Sequence, residues 1–172
     1  MASIWGYIGR GNERLLSDMG GVLRHRAHSW SQRSKPGVFG LAQGAFEGEA
    51  DEAACVVSDD GRIDCVFDGY LLNRDALADR YGADLERSDA QIIADLFARV
   101  GVEVFPHLDG AYSVALHDGD TLYVVRDALG EKPIYFAPGV GGSLLFSSEV
   151  KAFLVCDDFD ASPCLTSLYQ LM

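Results

Sequence analysis

The chain has 172 residues, of which 48% are hydrophobic and 23% charged, so it is long enough for one well-buried domain and too short for two ordinary ones. The excess of 26 acidic over 14 basic residues gives a net charge of -12, which argues against nucleic acid and anionic membranes as partners because both attract basic surfaces. Without an apolar run of about 18 residues or a basic, apolar leader, the sequence predicts a cytoplasmic protein.

The N-terminal part predicts a strand followed by a helix. Apolar residues over Ser3–Ile8 indicate a strand that starts almost at the N-terminus. Removal of Met1 would leave the free α-amino group on Ala2, at the edge of the core. A helical pattern starts at Asn12, which is a suitable N-cap. The polar and basic stretch Arg24–Arg33 predicts a solvated loop.

The next segment predicts a hairpin. Short strands are expected at Val38–Leu41 and Ala53–Val57, with the acidic segment Glu47–Glu52 as a loop between them. An Asp-Gly pair within Ser58–Arg62 predicts the hairpin turn. We expect one inward face for the residues that alternate along this hairpin: Cys55, Val57, Ile63, Cys65 and Phe67.

A corner of strand, turn and helix follows. The strand is expected to end at Phe67, with a tight turn at Asp68-Gly69 and a helix from near Asn73 to Gly82. A second helix begins after Ser88, and Gln91 is expected to reach back to this N-cap as in a capping box. Asp89 then lies in the first turn, where an acid complements the helix dipole.

The last third predicts strands in an antiparallel meander, at Ala111–His117, Leu122–Arg126, Pro133–Ala137 and Leu144–Ser147. A short helix or turn follows at Val150–Val155, and a further helix begins after Asp160. The four cysteines have neither CxxC spacing nor a histidine at zinc-finger distance, so we expect buried, reduced thiols and no metal.

Six motifs in register give the chain a resemblance to the N-terminal glutaminase domain of asparagine-synthetase-like class II amidotransferases. The family patterns are Met-Cys-Gly-Ile-x-Gly, His-Arg-Gly-Pro-Asp, Phe-Asn-Gly-Glu-Ile-Tyr-Asn, Ser-Asp-Thr-Glu, Arg-Asp-x-x-Gly-x-Lys-Pro-Leu-Tyr-Tyr and Phe-Ala-Ser-Glu-x-Lys-Ala-Leu. The matching segments are Met1–Gly6, His25–Ser29, Phe67–Asn73, Ser88–Gln91, Arg126–Phe136 and Phe146–Phe153.

The resemblance implies an α+β fold, a four-layer αββα sandwich of two antiparallel sheets between helices, in the N-terminal-nucleophile class. It implies a glutaminase-like domain over residues 1–155 and an extension, residues 156–172, that leads towards an absent synthetase domain. In this family the Cys exposed by Met removal attacks glutamine, an Asn and a Gly hold the oxyanion, and an Arg and an Asp bind the substrate's carboxylate and ammonium. The released ammonia passes to an ATP-dependent synthetase domain, and the glutaminase domain itself needs no cofactor.

Carried over residue by residue, the reactive parts of this site are missing. Ala2 stands at the position of the nucleophile, and a methyl group cannot attack a carbonyl. Asp68 replaces the oxyanion-hole Asn with an acceptor. Ala45 stands where the carboxylate-binding Arg is expected. Gly69 and Asp89 are the matched pocket residues that are left.

Other nucleophiles are poor substitutes. Ser3 would point to the opposite face of the first strand, and its nitrogen is a peptide N–H. Cys55 and Cys65 fall on apolar strand faces.

The sequence therefore predicts a glutaminase-like domain that has lost glutamine hydrolysis and serves as a structural or docking part of an ATP-dependent amide-forming enzyme. One alternative is an active amidotransferase with an engineered Cys-to-Ala change at Ala2, although this would not explain Asp68 or Ala45. A second alternative is a non-catalytic module whose pocket, lined by Asp68 and Asp89, binds glutamine or another amine-bearing small molecule.

Overall fold

Nine strands form two antiparallel sheets in residues 2–45, 55–157 and 159–171, the parts of the chain that the computed structural model describes. In chain order they are β1 (Ser3–Ile8), β2 (Ser29–Lys35), β3 (Phe39–Ala45), β4 (Val56–Val57), β5 (Asp64–Leu71), β6 (Gly110–His117), β7 (Leu122–Arg126), β8 (Tyr135–Pro138) and β9 (Leu144–Ser147). The first sheet has the order β2-β3-β1-β9-β8, and the second has the order β4-β5-β6-β7. The predicted loop Glu47–Glu52 lies outside the described residues.

Four α-helices accompany the sheets in the described residues. They are α1 (Glu13–Val22), α2 (Arg74–Tyr81), α3 (Asp89–Val100) and α4 (Leu165–Leu171). Short 3-10 turns cover Gly101–His107, Val140–Gly142 and Val150–Val155. None of the described helices is long and apolar enough to cross a membrane.

Three apolar clusters hold these elements together. The first joins α1 to one face of the first sheet through Trp5, Leu16, Met19, Ala42 and Phe153. A second cluster joins α3 to the second sheet, with Phe67, Ile93, Phe97 and Val114 among its members. The third lies between the sheets and contains Ile4, Leu41, Val66, Ala115 and Phe146. The two antiparallel sheets therefore pack face to face, with a helix on the outer side of each.

Several local predictions are confirmed. β1 has the predicted bounds. The Asn12 side chain accepts a hydrogen bond from the N–H of Leu15 at 3.1 Å, so Asn12 is the N-cap of α1. Gly82 ends α2 with φ 67°, and the N–H of Gln91 donates to Ser88 Oγ at 3.2 Å. The reciprocal half of the capping box is wrong, because the Gln91 side chain donates to the carbonyl of Val57 instead.

The predicted loop at Arg24–Arg33 is partly wrong, since Ser29–Lys35 forms the edge strand β2. Trp30 is the one large apolar residue of this edge strand, so the strand lacks the apolar alternation that marks a strand in sequence. Its neighbour β3 is buried throughout and extends to Ala45, beyond the predicted end at Leu41.

The predicted turn at Asp68-Gly69 is wrong, because both residues lie inside β5. Gly69 has φ 139° and pairs with Tyr112 of β6. A Cβ atom at Gly69 would lie 2.0 Å from the carbonyl oxygen of Ala111, so the close approach of β6 requires glycine here.

The predicted inward face of the hairpin is partly wrong: Ile63, Cys65 and Phe67 share one face as expected, but the first strand is shifted by one residue. Val56 pairs with Cys65, so Val56 joins Cys65 on the face that packs against α3. Cys55 points the other way and packs against the cluster between the sheets. A one-residue shift of register moves every side chain to the opposite face.

The predicted meander is divided between the two sheets. β7 belongs to the second sheet and β8 to the first, so the chain crosses from one to the other through residues 127–134. The cysteines also differ from expectation: Cys65 and Cys156 are buried, Cys55 is half-buried and Cys164 is exposed. The division of the chain after Val155 stays a prediction.

Candidate functional site

The N-terminal end of β1 lies at the centre of the first sheet, between β3 and β9. Side chains alternate along β1, so Ala2 points to the same side as Ile4, towards the space between the sheets. Ala2 is half-buried. Since Ser3 pairs with Gly44, Ala45 lies at this same end of the sheet. The structure therefore brings two of the predicted site residues, Ala2 and Ala45, to one place.

Asp68 reaches this place from the second sheet. Val66, two residues earlier on β5, packs between the sheets, so Asp68 points into the same space. Its residue exposure is 1%, yet its carboxylate has two cationic neighbours. Lys132 Nζ donates to Asp68 Oδ1 at 3.0 Å, and Arg26 Nη2 lies 3.9 Å from Asp68 Oδ2. Asp68 is thus a buried anion neutralised by the protein's own cations.

Arg26 connects the two sheets and the N-terminal segment. In addition to its ion pair with Asp68, its guanidinium donates hydrogen bonds to the carbonyl of Ala2 at 3.3 Å and to Glu149 Oε1 at 3.3 Å. Glu149 follows β9, and Ser148 beside it is hydrogen-bonded to both the N–H and the carbonyl of Ile4. Arg26 therefore joins the start of β1 to two other parts of the chain, at Asp68 and at Glu149.

Glu149 continues the network towards solvent. His25 Nε2 lies 2.9 Å and Lys151 Nζ 3.1 Å from its carboxylate oxygens. Burial alone would raise the pKa of Glu149, but hydrogen bonds from His25 and Lys151 outweigh it and hold the pKa below its usual value.

The result is a row of alternating charges that passes through the buried Asp68 and reaches the surface at Lys151, which we call the charge ladder: Lys132, Asp68, Arg26, Glu149 and Lys151. Its members are least exposed at Asp68 and most exposed at Lys151. Three cations face two carboxylates in the ladder. Each carboxylate thus has more than one cationic partner, which offsets the cost of burying it.

The loop between β7 and β8 aims Lys132 at Asp68. The carboxylate of Asp127 accepts hydrogen bonds from the backbone N–H groups of Leu129 and Glu131 at 3.0 Å and of Lys132 at 3.2 Å. Burial raises the pKa of Asp127, but these backbone hydrogen bonds outweigh burial and hold the pKa below its usual value. The motif around Asp127 is therefore a rigid turn that positions the lysine.

The remaining predicted site residues have structural contacts. Asp89 accepts a hydrogen bond from the N–H of Leu71 at 2.8 Å and has Arg74 Nε at 3.5 Å, so it fixes the end of β5 to the start of α3. No recorded contact within the described chain connects Asp89 to the ladder. Ala45 is buried, and its carbonyl accepts from the N–H of His28 at 3.0 Å.

The other nucleophile candidates are unsuitable in the structure as well. The alternation along β1 places Ser3 on the side of Trp5, which packs towards α1 and away from Asp68. Burial raises the pKa of Cys55 and raises that of Cys65 well above its usual value, so both are thiols. No group of side chains in the described residues has the composition and spacing to hold a metal ion.

Sequence reasoning missed four members of the ladder. Arg26, Lys132, Glu149 and Lys151 all lie in the matched motifs, where they were interpreted as parts of the scaffold or of a solvated loop. Their separation in sequence hides their contact: Arg26 and Glu149 are 123 residues apart, and Lys132 and Asp68 are 64 residues apart. The available signal was that all of these charged residues lie in segments that match the family patterns.

The sequence is similar to those of known proteins. A family model described as a glutamine amidotransferase domain matches residues 1–172. "Asparagine synthetase [glutamine-hydrolyzing] 1" of Arabidopsis thaliana is 32% identical over 148 residues, and the root enzyme "Asparagine synthetase, root [glutamine-hydrolyzing]" of Pisum sativum is 31% identical over 148 residues. Each match covers 82% of this chain and 25% of the relative, so the chain spans about a quarter of these proteins.

Solved structures share the fold at lower identity. Glutamine phosphoribosylpyrophosphate amidotransferase from B. subtilis, in complex with ADP and GMP, superposes with a TM-score of 0.72 at 17% identity. The structure titled as the allosteric regulatory enzyme of purine biosynthesis superposes with a TM-score of 0.73 at 16% identity. Both matches cover 89% of this chain and 43% of the other.

Proposed function

Because the chain belongs to the class II glutamine amidotransferase domains related to asparagine synthetase, we propose that it is a member that no longer hydrolyses glutamine. We propose further that it serves as a structural and docking domain of an ATP-dependent amide-forming enzyme, in the four-layer αββα arrangement of N-terminal-nucleophile enzymes. The observation that carries the first proposal is the buried carboxylate of Asp68, held between Lys132 and Arg26.

Asp68 opposes the chemistry of amide hydrolysis. Attack on the glutamine amide builds negative charge on the carbonyl oxygen, and the family stabilises it with hydrogen-bond donors. A carboxylate at that position accepts hydrogen bonds and repels the developing charge. The cations that could offset this repulsion, Lys132 and Arg26, are already engaged by Asp68.

The substrate's other contacts are missing too. Ala45 offers no cation to the glutamine carboxylate, and a lost charge-assisted hydrogen bond of this kind costs about 1.5–3 kcal/mol of binding. Asp89, which would bind the ammonium, already accepts a hydrogen bond from the N–H of Leu71 and has the Arg74 guanidinium beside it at 3.5 Å. In addition, the methyl side chain of Ala2 provides no nucleophile.

The same contacts argue against a pocket for an amine ligand. Two free acids would favour a positive group, but Asp68 and Asp89 each have an arginine or lysine beside them. A cationic ligand would have to displace an intramolecular ion pair. Its own ion pair with the carboxylate would only replace the one that is lost, so binding would gain little free energy.

An exposed apolar rim supports the docking role. Leu129 is 85%, Leu72 70% and Tyr70 50% exposed around a groove of about 170 Å³ at the start of β6. Large apolar side chains exposed together on a surface are typical of protein contacts. The matched segment makes up 25% of the Arabidopsis relative, so three quarters of that protein lies outside the segment. A domain of that size is large enough to cover the apolar rim.

The direct test is glutamate release from glutamine. We expect none from the purified chain, none from the Ala2→Cys variant, and full release from the Arabidopsis glutamine-hydrolysing asparagine synthetase as the positive control. Activity of the chain itself would overturn the proposal. Activity of Ala2→Cys alone would show that Ala2 is the single lesion and that Asp68 is compatible with hydrolysis.

A further inference from the structure

A separate pocket lies at the far end of β1 from Ala2. β1 carries the chain roughly 20 Å away from Ala2 at about 3.3 Å per residue, and the pocket opens beyond its last residue. It has a volume of about 310 Å³ and lies between the start of α1, the turn Val140–Gly142 and the end of the turn Val150–Val155. Its distance from Asp68 makes it independent of the charge ladder.

The pocket has apolar walls and one charge of each sign. The walls are formed by Leu15, Val140, Val155 and Cys156, and the charged side chains are Arg10 and Asp157. Val140 is 48% exposed, so the apolar part is open to a ligand.

Both charged side chains are available. Among the described residues, neither Arg10 nor Asp157 has an ion-pair or hydrogen-bond partner for its side chain, and they do not pair with each other. The nearest arginine on α1, Arg14, behaves differently, because it pairs with Asp18 on the exposed side of the helix.

The surroundings hold Arg10 in place. Gly141 has φ 64°, and a Cβ atom there would lie 2.5 Å from Cδ of Arg10, so the arginine stem packs directly on the backbone of Gly141. Asn12, the N-cap of α1, also lines the pocket, which brings the positive end of the helix to the same side as Arg10. Asp157 provides the one carboxylate of the lining.

We propose that this pocket binds a free α-amino acid with an apolar side chain. The carboxylate pairs with Arg10 beside the start of α1, the ammonium pairs with Asp157, and the side chain lies against Leu15, Val140 and Val155. A zwitterion satisfies both charges at once, whereas an ion of one sign leaves the other charge unpaired. The volume suits a ligand of this size.

Binding of L-leucine tests the pocket, by isothermal titration or by ligand-observed NMR. For a small ligand in an open pocket we expect a dissociation constant on the order of 1 mM. L-Leucinamide, which lacks the carboxylate, and 4-methylpentanoate, which lacks the ammonium, should each bind about five- to tenfold more weakly.

Two variants assign the charges. Arg10→Gln should weaken L-leucine binding about five- to tenfold and remove its advantage over L-leucinamide, and Asp157→Asn should remove its advantage over 4-methylpentanoate. Arg14→Gln and Asp18→Asn are matched controls outside the pocket and should leave the affinity unchanged.

The proposal is overturned if L-leucine, L-methionine and L-valine all show no binding at ligand concentrations well above about 1 mM. It is also overturned if Arg14→Gln weakens binding as much as Arg10→Gln. These outcomes say nothing about glutamine hydrolysis, because the glutamate-release assay reports on the opposite end of β1. The two proposals therefore fail separately.

Discussion

Replacing Lys132 by methionine should destabilise the protein strongly, because it leaves the buried carboxylate of Asp68 without its closest partner. The Asp68 side chain is 2% exposed, and Arg26 at 3.9 Å is its one remaining cation among the described residues. Breaking a buried ion pair costs about 3–5 kcal/mol. The Lys132 side chain is 21% exposed and Arg26 stays in place, so we expect a loss near the lower limit, about 3 kcal/mol.

Urea unfolding followed by circular dichroism measures this loss. With a denaturant slope of about 2 kcal/mol/M, a loss of about 3 kcal/mol lowers the midpoint by roughly 1.5 M. Lys35→Met, on the exposed edge strand β2, is the matched control and should change stability by less than about 0.5 kcal/mol.

A second variant shows whether the loss comes from the unpaired charge. Adding Asp68→Asn to Lys132→Met removes the buried charge and should restore most of the stability, with an interaction energy of about 1–3 kcal/mol in the double-mutant cycle. If Lys132→Met costs no more than Lys35→Met, or if Asp68→Asn restores nothing, the ladder does not hold the two sheets together.

Two further predictions concern the backbone around the site. The pKa of Asp127 is lower in the folded than in the unfolded state. Its contribution to stability is therefore complete above about pH 5 and is lost as the pH falls through the folded pKa. This pH dependence should be absent when the unfolding of Asp127→Asn is measured as a function of pH. Gly69→Ala should destabilise the protein by more than about 3 kcal/mol in thermal unfolding, because its Cβ would meet the carbonyl of Ala111 at a positive φ. The control Gly21→Ala lies in α1, where a Cβ would meet nothing within 4 Å, and should stabilise the protein by about 0.5–1 kcal/mol. Equal effects of the two substitutions would contradict the close approach of β6 to Gly69.

Local signals in the sequence predicted the elements whose conformation is decided locally. Asn12 and Ser88 accept the N-cap hydrogen bonds expected of them, and Gly82 supplies the left-handed residue that ends α2. β1 was predictable because its run of mainly apolar residues is buried from Ser3 to Tyr7.

The missed elements are those decided by distant pairing. An Asp-Gly pair favours a turn in isolation, but Asp68 and Gly69 are held in β5 by pairing with Ser113 and Tyr112 of β6. β2 was missed because an edge strand needs no apolar face to pair with β3. Neither fact can be derived from a short window of sequence.

The family motifs named candidate site residues but did not show how their charges are balanced. The structure places Ala2, Ala45 and Asp68 near one another, and their role in a site stays a prediction. The motifs did not show that Arg26 would contact both Ala2 and Asp68, since that contact depends on side-chain geometry rather than on register.

If the chain has lost glutamine hydrolysis, as we propose, the charge ladder explains how the fold keeps its architecture. An isolated carboxylate at position 68 would be costly between two sheets, but Lys132 and Arg26 lie within reach of it. These cations are positioned by backbone contacts that do not involve Asp68, the Asp127 turn for Lys132 and the Ala2 carbonyl for Arg26. The site therefore accepts an acid at position 68 with little cost to folding, while the same acid repels the oxyanion of glutamine hydrolysis. In the proposed docking role, Asp68 would therefore prevent catalysis without preventing folding.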